Sequence, residues 1–207
     1  MKNRFYLLTF LLITLFAVDG YTAERKKYNF NSEWRLQVGD FPQAKKPDFR
    51  DSDWKQVTLP RAFNEDEAFR LSIDELTDTI MWYRKHFRLP ANSKHKKVFK
   101  NKNIYLHLER TRLTRVWVND VEVGCRDSLT TPHHYDLTPY IKYGQENVIA
   151  VRIDNDWNYK ERATGTKYQW SNKNFNANYG GIPKNVWLHV TDRLYQTLPL
   201  YSNLKTT

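Results

Sequence analysis

The chain has 207 residues, of which 40% are hydrophobic and 27% are charged, and its formal net charge is +10. A single cysteine, Cys125, excludes a disulfide within the chain, so a hydrophobic core must stabilise the fold. The lysines and arginines are spread along the sequence and are densest at 94–102, in a connection. Without a nucleic-acid-binding motif, this distribution indicates a solvated basic surface and no nucleic-acid partner.

Residues 1–23 are expected to be a secretory signal peptide. Two basic residues precede an apolar run at 5–18, which is shorter than the roughly 20 residues of a membrane-spanning helix. Cleavage after Gly20 or Ala23 would suit the preference for small residues at that position. We therefore expect an exported protein, periplasmic or secreted, without a stable membrane span. An uncleaved N-terminal anchor is the alternative.

Beyond residue 33 the sequence repeatedly alternates apolar and polar residues, a period of two that is typical of half-buried strands. The alternating stretches are 34–38, 57–59, 83–89, 104–108, 116–123, 147–153 and 186–190. Only short helices are predicted, at 63–71 and at 138–142, the latter with Asp136 as its N-cap. About eight short strands without long helices between them predict an all-β fold, an antiparallel β-sandwich of the jelly-roll type.

Residues 115–124, with the sequence RVWVNDVEVG, predict a β-hairpin whose two-residue turn is Asn-Asp. Val116 and Val118 lie on one face of the first strand, which is expected to join the core. The other face, with Trp117 and Glu122, is expected to point towards solvent.

Two connections, 61–80 and 154–183, are longer than a minimal sandwich needs. Loops of this length in a compact domain are usually functional or disordered. The second connection is too rich in aromatic residues for simple disorder. We therefore look for functional residues in these two connections.

Five motifs occur in an order that resembles one enzyme family. They are DFRDSDWKQVTLPRAF at 48–63, WYRKHFRLP at 82–90, YLHLERTRLTRVWVNDVEVG at 105–124, YDLTPYIKYGQENVIAVRIDN at 135–155 and NYGGIPKNVWLHV at 178–190. Together they resemble the N-terminal sugar-binding domain of glycoside hydrolase family 2, the family of β-galactosidases and β-glucuronidases. The resemblance implies a galactose-binding-like jelly roll, in agreement with the strand pattern.

The resemblance also implies that an immunoglobulin-like domain and a catalytic (β/α) barrel follow this domain. We therefore expect a signal peptide at 1–23, a jelly-roll domain at 24–192, and a linker or the start of an immunoglobulin-like domain at 193–207. The chain would then be a noncatalytic fragment of an exported β-glycosidase that hydrolyses terminal β-linked sugars, with the missing domains as its partners. A free-standing lectin-like module is the alternative, and a purely structural docking domain is a third possibility.

The sequence does not predict a catalytic residue in this chain. Retaining glycosidases need two carboxylates about 5 to 5.5 Å apart, and the resemblance implies that barrel strands hold them. Glu65 follows an asparagine, as the family's acid/base glutamate does, but it comes directly after an early sandwich strand. His133 and His134 are neighbours on one strand and point to opposite faces, so they are not expected to bind a metal together. We expect no metal and no cofactor.

The resemblance implies that loops of this domain border the sugar cleft. Short amide or carboxylate side chains there can hydrogen-bond to sugar hydroxyls, although the same residue types also cap turns. By their positions, the candidates for such contacts are Asp78, Asn176 and Asn178. In the lectin-like alternative, the candidates for stacking against a carbohydrate are Trp157, Trp170 and Tyr179.

Overall fold

The computed structural model describes residues 25–62, 79–90, 99, 101–127, 131–154 and 180–195. The strands in these ranges are β1 (Arg25–Asn29), β2 (Trp34–Val38), β3 (Lys55–Val57), β4 (Arg61–Ala62), β5 (Ile80–Arg88), β6 (Lys102–Leu108), β7 (Leu113–Val118), β8 (Val121–Arg126), β9 (His133–Asp136), β10 (Glu146–Asp154), β11 (Gly181–Ile182) and β12 (Val186–Asp192). The described residues also form two 3-10 turns, Pro42–Lys45 and Thr138–Tyr140. Within it, no helix has the length and apolar character needed to cross a bilayer.

The strands form two main antiparallel sheets. One has four strands in the order β1-β12-β6-β9, and the other has six in the order β3-β2-β5-β10-β7-β8. A small third sheet pairs β4 with β11. The two large sheets share one hydrophobic core, which confirms the predicted all-β, jelly-roll β-sandwich.

The core lies between the inner faces of the two large sheets. Ile104, Leu106 and Leu108, at alternate positions of β6, are fully buried, and Leu188 and Val190 of β12 are almost fully buried beside them. They meet apolar side chains from β2, β5, β7 and β10 of the other sheet. Because fully burying one such side chain contributes about 1.5–3 kcal/mol, this interface is the main source of stability.

The predicted hairpin forms, but one face of it was assigned wrongly. Asn119 and Asp120 adopt φ values of 52° and 75°, the positive angles that a two-residue turn of this kind needs. Val116 and Val118 are buried in the core as predicted. Trp117, predicted to face solvent, is buried and only 7% exposed, whereas its neighbour across the hairpin, Glu122, is exposed.

Trp117 is buried because a covering segment, residues 39–54, lies over the outer face of the six-stranded sheet. Side chains of this segment, including Phe41 and Ala44, form a second hydrophobic cluster with Trp82, Trp117 and Ala150 of the sheet. The rings of Trp82 and Trp117 stack with centroids 5.2 Å apart. The six-stranded sheet is therefore covered on both faces, which period-two alternation does not reveal.

A buried ion-pair network, the Asp51 clamp, fastens the covering segment to the sheet. Asp51 is 3% exposed and accepts hydrogen bonds from Arg84 at 2.7 Å, from His86 at 2.9 Å and from Arg35. Arg84 is fully buried and also donates hydrogen bonds to the backbone carbonyls of Phe49 and Lys46, each at 2.8 Å. Burial acts to raise the pKa of Asp51, but the hydrogen bond from His86 and the positive charge of Arg84 outweigh it and lower that pKa.

We expect the free energy of unfolding to decrease in acid as Asp51 becomes protonated. A carboxyl with a lower pKa in the folded state than in the unfolded state stabilises the fold above its unfolded pKa, near 4. That stabilisation is lost as the pH falls through the lower, folded pKa. Urea unfolding at a series of pH values from about 7 to about 2 measures the effect.

The control for this experiment is Asp51→Asn, which removes the titrating group. We expect this variant to be less stable at neutral pH and to lose less stability in acid than the unmodified chain. An identical acid dependence in the two proteins would show that Asp51 does not carry the effect.

The predicted helix at 138–142 is only the 3-10 turn Thr138–Tyr140. Its N-cap is Leu137, one residue later than predicted, although the carboxylate of Asp136 still accepts a hydrogen bond from the backbone N–H of Thr138 at 2.9 Å. The helix predicted at 63–71 and the signal peptide predicted at 1–23 lie outside the described residues.

Candidate functional site

The two long connections begin and end at the same two residue pairs. The first runs from Ala62 at the end of β4 to Ile80 at the start of β5, and the second runs from Asp154 of β10 to Gly181 of β11. Ala62 pairs with Gly181, and Ile80 pairs with Asp154. Each connection therefore has one end in each pair. We call this part of the sandwich the loop end.

Further contacts hold the loop end to the body of the sandwich. The Thr111 hydroxyl donates a hydrogen bond to the carbonyl of Gly181 at 3.1 Å, and Leu113 pairs with Asp154. Thr111 is almost completely buried. Ile182, the neighbour of Gly181 in β11, is fully buried in the core. The bases of both connections are consequently fixed by the same rigid sheet structure.

The sugar-contact candidates belong to these connections and lie outside the described residues. These candidates are Asp78, Asn176, Asn178, Trp157, Trp170 and Tyr179. Glu65 also lies outside them. Along the sequence, Asp78 comes two residues before Ile80 and Asn178 comes three residues before Gly181. Their contacts with sugar stay predictions. What the structure describes is the paired strand residues that precede and follow them in the sequence.

A cavity of about 360 Å³ lies at the edge of the covering segment and is lined in part by Asp40, Trp82, Arg115 and Arg152. Arg152 donates two hydrogen bonds to Asp40, at 3.0 and 3.1 Å, and Trp82 Nε1 donates a third at 3.0 Å. The hydrogen bond from Arg152 lowers the pKa of Asp40 despite partial burial. Both oxygens of this carboxylate are therefore already engaged within the protein.

The described carboxyls with shifted pKa values are suited to structural roles. A glycosidase acid must be held protonated by its surroundings, but the pKa values of Asp40, Asp51 and Glu109 are all lowered. For Glu109, burial acts in the opposite direction, but hydrogen bonds from Trp187 at 2.7 Å and from Asn185 outweigh it. These three carboxylates are held in the ionised form, which accepts hydrogen bonds and does not donate a proton.

The outer face of the four-stranded sheet carries a histidine cluster that the sequence reasoning did not find. His107 of β6, His134 of β9 and His189 of β12 bring one ring nitrogen each to within 4.8 Å of the others. The prediction that His133 and His134 point to opposite faces is confirmed, since His133 is buried against Thr114 at 2.7 Å and His134 is exposed. The cluster was missed because only neighbours along one strand were considered, not neighbours on adjacent strands.

Known proteins resemble this chain over most of its length. No family model matches it. A β-glucuronidase from Formosa agariphila is 35% identical over 197 residues, which cover 89% of this chain and 19% of that enzyme. A β-galactosidase from Thermoanaerobacter pseudethanolicus is 33% identical over 168 residues, covering 80% of this chain and 21% of that enzyme.

Among solved structures, a β-glucuronidase from glycoside hydrolase family 2 is similar to this chain. The two superpose with a TM-score of 0.68 and are 34% identical, and the match covers 89% of this chain and 20% of that one. The chain thus spans about a fifth of the length of the relatives that it matches.

Proposed function

Because the chain belongs to glycoside hydrolase family 2, as the N-terminal domain of such an enzyme, we propose that it serves a β-glycosidase as a noncatalytic, sugar-binding domain. The enzyme would hydrolyse terminal β-linked sugars by the retaining two-carboxylate mechanism. One observation carries this proposal: 89% of the chain aligns with only 19% of a β-glucuronidase. The rest of such an enzyme is large enough to contain the catalytic domain.

The proposed substrates are terminal β-glucuronides or β-galactosides, because the two relatives carry these activities in their names. The catalytic glutamates would come from a barrel domain, and an immunoglobulin-like domain would connect that barrel to this one. The carboxylates of Asp40, Asp51 and Glu109 are each engaged by hydrogen bonds within the protein, which supports a noncatalytic role for them. We include export in the proposal because of the basic and apolar start of the chain.

The contribution of this domain to substrate binding would come from its loop end. The anchoring pairs Ala62–Gly181 and Ile80–Asp154 hold the bases of both long connections next to each other. Asp78, Asn176 and Asn178 would then hydrogen-bond to sugar hydroxyls at the margin of the active site. Such hydrogen bonds discriminate strongly against substrates that lack the matching hydroxyl.

We expect the purified 207-residue chain to release no chromophore from nitrophenyl β-glucuronide or β-galactoside. A rate measurement with each substrate tests this, and an active β-glucuronidase and an active β-galactosidase are the positive controls. If the chain did turn over substrate, Glu65→Gln would be compared with Glu67→Gln, which removes the acid two residues further along the sequence. Turnover that disappears only in Glu65→Gln would contradict the proposal.

The coding sequence beyond codon 207 is the most direct further test. A continuation into an immunoglobulin-like domain and a barrel with an Asn-Glu motif would support the proposal. Calorimetric titration of the chain with glycans tests the lectin-like alternative. Saturable binding that is lost in Trp157→Ala or Trp170→Ala, together with a stop codon after residue 207, would favour that alternative instead.

A further inference from the structure

The histidine cluster on the outer face of the four-stranded sheet joins three strands. His107 of β6 lies directly opposite His134 of β9 in the antiparallel register. On the other side of β6, His107 lies opposite Trp187, and His189 is two residues further along β12. Side chains that are opposite or diagonal on one face of a sheet are close enough to interact. The cluster is therefore set by strand pairing and does not depend on loop conformation.

The ring of His107 contacts the rings of both other histidines. The centroids of His107 and His134 are 4.3 Å apart, and those of His107 and His189 are 4.8 Å apart with nearly parallel planes. Nδ1 of His107 lies 3.0 Å from Nε2 of His134. Two nitrogens bound to one tetrahedral Zn²⁺ at 2.0–2.1 Å are about 3.4 Å apart. One nitrogen from each of the three rings lies within 4.8 Å of the others, and because His189 stacks on His107, its ring must rotate to direct a nitrogen to the same ion.

One nitrogen of the cluster has an unmet hydrogen-bonding requirement. His189 is 5% exposed, and its Nε2 has no hydrogen-bond partner among the described residues. Its other nitrogen, Nδ1, accepts a hydrogen bond from the guanidinium of Arg25 at 3.0 Å. A buried polar atom without a partner is unfavourable, and a bound ion would remove this penalty.

The protonation state of the rings also suits a metal. Burial, together with the adjacent His134, lowers the pKa of His107 to about 4. Burial likewise lowers the pKa of His189 to about 4 and shifts the pKa of His134 downward. At neutral pH all three imidazoles are uncharged, and each keeps the nitrogen lone pair that a metal ion needs.

We propose that His107, His134 and His189 bind one divalent transition-metal ion, preferably Zn²⁺, on the outer face of the four-stranded sheet. Imidazole nitrogen is a preferred ligand of Zn²⁺ and Cu²⁺, and three imidazoles leave the fourth position of Zn²⁺ for a water molecule. The ion would link β6, β9 and β12. This site is on a different face from the covering segment and does not rest on the proposed enzymatic function.

Arg25 competes with the metal for His189. If the metal bound Nδ1 of His189, it would displace the guanidinium directly. If the metal bound Nε2, the ring proton would move to Nδ1, which could then no longer accept a hydrogen bond from Arg25. The positive charge of Arg25 also disfavours a nearby cation. Arg25 is exposed at the end of β1, so it is free to turn into solvent.

Calorimetric titration of the chain with ZnCl₂ tests the proposal. The 207-residue chain is produced without a polyhistidine tag and dialysed against a chelator. We expect one Zn²⁺ per chain. Losing a residue that only hydrogen-bonds to a metal ligand typically weakens metal binding by 10-fold to 100-fold. Losing a ligand itself should have at least the smaller of these effects. We therefore expect each of His107→Gln, His134→Gln and His189→Gln to weaken Zn²⁺ binding by at least about tenfold.

Two further variants make the test specific. His86→Gln, which removes a histidine of β5 in the six-stranded sheet, should leave the affinity and the stoichiometry unchanged. Arg25→Gln should tighten binding, because the competing hydrogen bond and charge are gone. His134 is exposed, so His134→Gln gives a folded variant even if substitution of the more buried His189 prevents folding. Far-UV circular dichroism checks the fold of each variant.

A measurement on the unmodified chain provides an independent readout. X-ray absorption at the zinc edge should show three nitrogen donors from imidazole at about 2.0–2.1 Å. No stoichiometric binding, binding that His134→Gln leaves unchanged, or a zinc environment without imidazole would each overturn the proposal. The activity assays of the proposed enzyme do not affect this result, so failure of one proposal can be told from failure of the other.

Discussion

Replacing Trp117 with alanine is expected to lower the free energy of unfolding by about 3 to 5 kcal/mol. The indole ring stacks on Trp82 beneath the covering segment and is only 7% exposed. Removing a large buried aromatic side chain costs the transfer free energy of the ring and leaves a cavity, and together these effects reach this range. Urea or guanidinium unfolding, followed by circular dichroism, measures the change.

Val121→Ala is the matched control for this experiment. Val121 is on the return strand of the same hairpin and is 49% exposed, so its truncation should change stability by no more than about 0.5 kcal/mol. A cost for Trp117→Ala as small as that for Val121→Ala would show that the covering segment does not bury this face of the sheet in solution.

Replacing Arg84 with methionine is also expected to lower the free energy of unfolding by about 3 to 5 kcal/mol. Methionine keeps much of the side-chain length but removes the charge that pairs with Asp51 at 2.7 Å. It also leaves the carbonyl of Phe49 without its hydrogen bond. Breaking a buried ion pair by removing one partner is strongly destabilising, because the remaining charge stays buried.

Two variants isolate the contribution of the ion pair. Arg88→Met changes an exposed arginine on the same face of β5 and should alter stability by about 0.5 kcal/mol or less. In the double variant Arg84→Met/Asp51→Asn neither charge of the pair remains, so its cost should be smaller than the sum of the two single costs. Additive costs would mean that Arg84 and Asp51 do not act as a pair.

The sandwich was predictable because its inner faces follow a simple rule. Residues such as Ile104, Leu106 and Leu108 alternate with polar neighbours along β6, and the structure buries each of them. The Asn-Asp turn was also predictable, since these residues tolerate positive φ angles at modest cost. Both features depend on residues close together in the sequence.

What escaped prediction depends on residues that are distant in sequence. Nothing in the alternation around Trp117 indicates that residues 39–54 lie over it, and a tryptophan opposite core valines therefore looked exposed. His107, His134 and His189 each occupy an ordinary polar position of a strand, and only the register of β12, β6 and β9 brings them together. A search for histidines at outward positions of several predicted strands would have been the available signal.

The loop end was identified from the lengths of its two connections, but its construction was not. That construction depends on Ala62 pairing with Gly181 and on Ile80 pairing with Asp154, and neither register follows from local sequence. The individual sugar contacts of Asp78, Asn176 and Asn178 were inferred from their position relative to the motifs and stay predictions.

The paired bases of the two connections also affect how this protein tolerates insertions. Doubling the length of a flexible loop whose ends are already held together costs only about 0.6 kcal/mol of closure entropy. Segments added between Ala62 and Ile80, or between Asp154 and Gly181, would leave the β-ladder at both bases intact. New recognition elements can therefore be added at the loop end by insertion, with little loss of thermodynamic stability.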